Sequence, residues 1–290
     1  MNTFDDTPPV PPEGSAEAPR SSLRQWQVLA LAAGVLLLAG LMGQAAGRVA
    51  PRSPALAVVL AIIAGLVFIG IAVTMVAGIV RLRLSWAQQL ALAIIFGGIS
   101  AAWGLARIEL LKDLFLFVAA TFFGALTSRI IKERNILVPV AVVAAGVDIW
   151  GVYWGFVNFV GKKAPQVVEH LSAAVPGANA VEMPIPLLSA IGVGDFLFMG
   201  LFVGAVSRLE MNSRGTLWAL FIAFLTAPVV FSLVGASALP GLPLLGAAVL
   251  IANWRQFRFS RAEKFALLYA ALAVMALVAV MWAAYSLLKR

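Results

Sequence analysis

The chain has 290 residues, of which 62% are hydrophobic and 12% charged, and its mean hydropathy is +0.98. Soluble domains are about half apolar and about a quarter charged, so this composition excludes a water-solvated globule and calls for lipid as solvent. The net charge of +8 comes from 21 Lys and Arg set in short gaps between apolar runs, which fits membrane flanks and excludes a continuous nucleic-acid-binding face.

Residues 1–25 are rich in Pro, Glu, Asp and Ser and predict a disordered polar tail. The apolar run 26–47 follows Arg20 and Arg24. It is longer than the about 7–15-residue core of a cleaved leader, so a retained first span is expected. Stretches near the ~17–25 residues needed to cross a bilayer then recur. They cover 56–80, 85–106, 113–131, 136–160, 186–207, 215–236, 240–254 and 264–287, the eighth being short. The expectation is an all-α integral membrane protein, a polytopic bundle of about nine transmembrane helices. It divides into an N-terminal helical bundle over 26–135, a second group over 136–254, and a C-terminal loop and final helix over 255–290.

The one long connection, 161–185, carries Lys162, Lys163, Glu169, His170 and Glu182 among several prolines. Within it, 165–174 predicts an amphipathic helix on the membrane surface. Nine spans put thirteen Lys and Arg on the side of the N-terminus and eight on the other. The positive-inside rule then sets the N-terminus in the cytoplasm and 161–185 outside. No Asn-x-Ser/Thr sequon occurs, which points to a prokaryotic plasma (inner) membrane.

The chain has no Cys, and His170 is its one histidine. That excludes disulfides, thiolate catalysis, Cys-ligated zinc and an HExxH zinc site. A Ser–His hydrolase is disfavoured, because its imidazole would sit in a loop. Of thirteen acids, eleven fall in the tail, loops or span ends, while Asp148 and Asp195 lie well inside apolar spans. An aspartate at a helix centre costs about 2.5–3.5 kcal/mol on insertion scales. Neither has a Lys or Arg nearby in its span. Each is expected to face a wet cavity, the other acid, or both, near mid-membrane. Two carboxylates sharing one proton can hydrolyse a peptide bond without metal or cofactor: the ionised one accepts a proton from water while the other polarises the carbonyl. Burial alone leaves open a proton-coupled transporter and a purely structural role.

Gly192 and Gly194 stand just ahead of Asp195 and let another backbone come close. Small-residue helix packing is the simpler account of them. Pro240-Gly241-Leu242-Pro243 precedes the short apolar run. Prolines there leave backbone groups open at membrane depth, and they equally begin helices.

In order along the chain come Val147-Asp148-Ile149-Trp150, then Gly192-Val193-Gly194-Asp195-Phe196, then Pro240-Gly241-Leu242-Pro243. This set resembles the presenilin and signal peptide peptidase family of GxGD-type intramembrane aspartyl proteases, over about 136–254. Val147 stands where the family has Tyr, removing a hydroxyl beside the first acid, and Gly241 stands where it has Ala. The first acid falls in the fifth span, whereas the family has five helices before it. The resemblance implies a presenilin-like horseshoe bundle with a water between catalytic Asp148 and Asp195, and no metal or cofactor. Substrates would be transmembrane helices, unwound and held extended by Gly192, Gly194, Pro240, Gly241 and Leu242. The charge-derived orientation is similar to that of signal peptide peptidase and implies substrates with a cytoplasmic N-terminus. A proton-coupled transporter and a catalytically silent homologue that binds membrane helices are the alternative expectations.

Overall fold

The structure is a computed structural model that describes residues 18–49, 52–82, 84–153, 172–174, 190–234 and 240–288. These residues form nine α-helices, each matching one expected span. They are α1 (Ala18–Val49), α2 (Pro54–Arg81), α3 (Trp86–Leu105), α4 (Glu109–Thr127), α5 (Leu137–Tyr153), α6 (Val193–Arg208), α7 (Ser213–Val234), α8 (Leu242–Asn253) and α9 (Arg261–Leu288). Two three-residue strands, β1 (Ser172–Ala174) and β2 (Ala190–Gly192), join them.

Local chemistry sets several of the starts. Pro54 opens α2, where its missing N–H costs nothing. Ser85 and Gln88 form a capping box at α3: the Gln88 N–H donates to Ser85 Oγ at 3.2 Å, and the Ser85 N–H to Gln88 Oε1 at 2.8 Å. Ser260 and Glu263 repeat the arrangement at α9. Two expectations change here. Helix α1 already begins at Ala18, so residues 18–25 are not tail, while 1–17 lie outside the described residues. The surface helix expected over 165–174 does not form at 172–174, which is β1, and 165–171 lie outside the described residues. β1 pairs antiparallel with β2, with Ser172 opposite Gly192 and Ala174 opposite Ala190. Gly192 weakens helix just before Val193, leaving 190–192 extended with backbone groups to satisfy.

Among the described residues, four segments are long and apolar enough to cross a membrane: Ile62–Arg81, Trp86–Leu105, Glu109–Ile130 and Arg134–Tyr153. The distribution of side chains is inverted relative to a water-soluble protein. Leu31, Ile94, Leu105, Ile251 and Met275 face outward, while Gln89, Ser100, Thr121, Thr216 and Asn253 are buried. Exposed Trp86, Trp218 and Trp254 stand at the start of α3, early in α7 and just after α8.

Those three tryptophans share one end of the bundle, where four inter-helix turns are tied together. Arg129 donates to the Leu84 carbonyl at 2.5 Å and to Gln89 Oε1 at 3.0 Å. Arg208 donates to the Ser128 carbonyl at 2.7 Å and to the carbonyls of Arg129 and Ile131, covering the C-terminal end of α4. Arg134 reaches the Leu209 carbonyl, and Asn135 the Arg258 carbonyl. The Asn212 N–H donates to Asn253 Oδ1 at 2.9 Å. The turns after α2, α4, α6 and α8 therefore lie together, as alternate crossings require.

Small residues bring the central helices together. A Cβ on Gly200 would lie 2.6 Å from the Thr121 carbonyl oxygen, one on Gly204 would lie 2.7 Å from Ser128 Oγ, and one on Gly124 would collide with the Leu197 carbonyl. This is a Gly-xxx-Gly seam between α4 and α6. Helix α8 fills the place beside α5, with Gly246 close to Ala141.

Candidate active site

Asp148 lies eleven residues beyond the start of α5, and Leu242 eleven residues before the end of α8. Asp195 lies thirteen residues before the end of α6. All three distances run from the same tied end. At 1.5 Å per residue they place Asp148 and Leu242 about 17 Å, and Asp195 about 20 Å, from it. Sequence reasoning placed both acids near the middle of their spans. It misplaced Asp195 within its helix, however: the residue sits in the first turn of α6, not near the middle of a 186–207 span. The glycines around it and the β1–β2 pairing end the helix early.

The N-terminus of α8 joins the two acids. Gly241 is its N-cap residue and has no side chain to bind the free N–H groups. A carboxylate from another helix supplies the cap: the Leu242 N–H donates to Asp148 Oδ2 at 2.9 Å, and the Gly241 N–H turns to the same group. On its other side Gly241 lies against Asp195. A Cβ there would overlap Asp195 Oδ1 and lie 2.9 Å from its Cγ. Asp195 in turn faces the N–H of Gly192, the N-cap of its own helix, as the acid of a capping box does. One dipeptide, Gly241-Leu242, is thus held between the carboxylates of Asp148 and Asp195, which are near enough for their charges to interact.

The acids do not meet through direct packing of α5 on α6. Instead α5 packs chiefly on α8 and α9, and α6 chiefly on α4, so the Pro240–Leu242 turn makes the link. Pro240 is buried. Among the described residues nothing lies within 4 Å of where a Gly194 side chain would stand, and the close helix contacts are made at Gly124, Gly200 and Gly204. Phe196, fully buried, fixes the Asp195 turn by meeting Phe117 edge to face, with ring centroids 4.8 Å apart.

An open apolar cavity of about 580 Å³ runs along α5 to this point. Pro139, Val143, Val147, Asp148, Phe198 and Leu242 line it, and among the described residues Asp148 is its one ionisable lining residue. Val147, next to Asp148, is 58% exposed.

One buried charged group escaped the sequence reading. Lys112 and Asp113, taken as a loop residue and a span-end residue, are 4% and 9% exposed inside α4. Lys112 Nζ is 2.5 Å from Glu109 Oε2 and 3.3 Å from Asp113 Oδ1. The i,i+3 spacing of Glu109 and Lys112 was the available signal.

Fold and site define a helical bundle with an apolar exterior, in which two acids on different helices meet at a helix N-terminus. Comparisons with protein-family models, curated proteins and solved structures found no match.

Proposed function

We infer that the chain is an intramembrane aspartyl protease that hydrolyses peptide bonds within transmembrane helices, with Asp148 and Asp195 as its catalytic pair. The observation that carries this reading is the Gly241-Leu242 dipeptide held between both carboxylates at one depth. Carboxylates so placed can bracket a water. The ionised acid takes a proton as the water oxygen bonds to the scissile carbonyl carbon. The protonated acid supports the carbonyl oxygen, and a proton then passes to the departing amine as the C–N bond breaks. The cavity along α5 offers an apolar approach that reaches Asp148. Gly192, Gly194 and Pro240–Leu242 would hold the unwound stretch, since Gly194 borders open space and β2 leads into the site.

In this reading all nine helices are membrane-associated in a plasma (inner) membrane, with the N-terminus cytoplasmic. The tied, arginine-rich end then faces the cytoplasm. At about 18 Å, α8 is too short to cross the ~30 Å core alone.

A liposome-reconstituted preparation should cleave a helical transmembrane reporter, and Asp148→Asn or Asp195→Asn should stop it. Full cleavage by either variant refutes the mechanism. A second reading, a membrane-helix binder without hydrolysis, is favoured by Val147 in place of the expected hydroxyl and by the capping duty of Asp148. Capture of the reporter without cleavage, unaffected by either substitution, selects it.

A further inference from the structure

The tied end holds a second cavity, of about 720 Å³, within the roughly 300–1,000 Å³ common for small-ligand sites. Its walls are the turn before α5 and the turn after α8. Among the described residues Lys132, Arg134, Arg255 and Arg258 line it, with Glu133 as the one acid. Among the described residues, none of the four cations has a carboxylate within 4 Å. Glu263 is engaged elsewhere, accepting from the Ser260 N–H and the Asn135 amide. Arg134 spends its Nε on the Leu209 carbonyl, and the Arg255 guanidinium lies 5.9 Å from the Trp254 ring centre.

Gln256 also lines the cavity, and its Oε1 is buried without a hydrogen-bond partner. Four cations facing one acid repel one another unless an anion joins them. A buried amide oxygen wants a donor. A phosphate ester bearing a hydroxyl supplies both. Exposed Trp86, Trp218 and Trp254 mark this end as the level where headgroups lie.

We propose that this cavity binds the phosphate of an anionic, hydroxyl-bearing lipid headgroup. The occupant bridges the turns that lead into α5 and out of α8, the helices carrying Asp148 and Leu242. Binding does not depend on the hydrolase reading, and its measurement does not use cleavage.

The test uses the full chain in mild detergent, titrated with dihexanoyl phosphatidylglycerol, dihexanoyl phosphatidylcholine or inorganic phosphate. Tryptophan fluorescence is the readout. Phosphatidylglycerol should bind, phosphatidylcholine should not, and Lys132→Gln/Arg258→Gln should weaken binding about 30-fold, from the contribution of a basic residue at an anionic surface. Neither side chain donates a hydrogen bond that holds the fold. Should the double variant not fold, Lys132→Gln alone should weaken binding about fivefold. Arg52→Gln, between α1 and α2, should change nothing. Tight binding of inorganic phosphate, lost in the same variant, supports the site and assigns it to a soluble phosphate. Equal binding of both lipids, or a folded double variant that binds as wild type does, overturns the proposal.

Discussion

The two aspartates meet at one turn but stand in opposite surroundings. Asp195 rises from a helix whose next eleven residues include nine that are fully packed, from Phe196 to Val206, pressed on α4 through Gly200 and Gly204. Asp148 rises from a helix with an open flank, where Val143 and Val147 are exposed along a cavity. One acid is on a fixed post and the other on a doorway. The proposed hydrolysis of an apolar helix would use both, since orientation demands rigidity and entry demands an uncovered face.

The largest expected effect falls on both sides alike. Asp148→Asn and Asp195→Asn should each lower reporter cleavage by about 10²–10⁴-fold, the scale of general acid–base catalysis. An asymmetric result would assign the chemistry to one acid. Gly241→Ala comes next. Its Cβ would overlap Asp195 Oδ1, and pushing a reacting group by about 1 Å can cost about 10²-fold in rate, read as kcat at saturating reporter. Cleavage unchanged by this alanine would show that the Asp195 side gives way and is no fixed post.

Stability should separate the two sides more finely. Gly200→Ala sets a Cβ 2.6 Å from the Thr121 carbonyl and should destabilise by about 1–3 kcal/mol in a denaturant titration. Val147→Tyr on the open flank should stay within about 0.5 kcal/mol of wild type while raising the cleavage rate, because a hydroxyl returns beside Asp148. The smallest effect is one of pH. Hydrogen bonds from the Ser260 N–H, then from Asn135, hold the Glu263 carboxyl below its usual range. A carboxyl so lowered stabilises the fold at neutral pH, and that contribution is lost as pH falls past the ordinary glutamate value of about 4.3. Amide exchange in the first turn of α9 should rise there, with no matching change in α6.

The helices were legible because a bilayer imposes length and apolarity on anything that crosses it, and each of the nine expected spans holds one helix. Asp148 and Asp195 stood out because charge inside such a run is rare. Pairing was harder to read. It runs through a backbone N–H at residue 242, which leaves no trace in side-chain pattern, and through the empty space of Gly241. The helix start at Val193 depended on strand pairings across about sixteen to twenty residues, beyond the reach of local propensity. Lys112 and Asp113 were misread because a Lys-Asp pair beside a span edge looks like its border; burial came from neighbours that only the packed bundle supplies.

The arginine-fastened end acts as a fulcrum. Helices joined there by guanidinium and amide ties would pivot about that point, and an angular change is magnified with distance along the rod. A tilt of about 5° between α5 and α6 shifts a carboxylate about 17 Å away by about 1.5 Å, enough to admit or expel one solvent molecule. Any such tilt at the basic rim would therefore be felt as a change in the spacing of the acids.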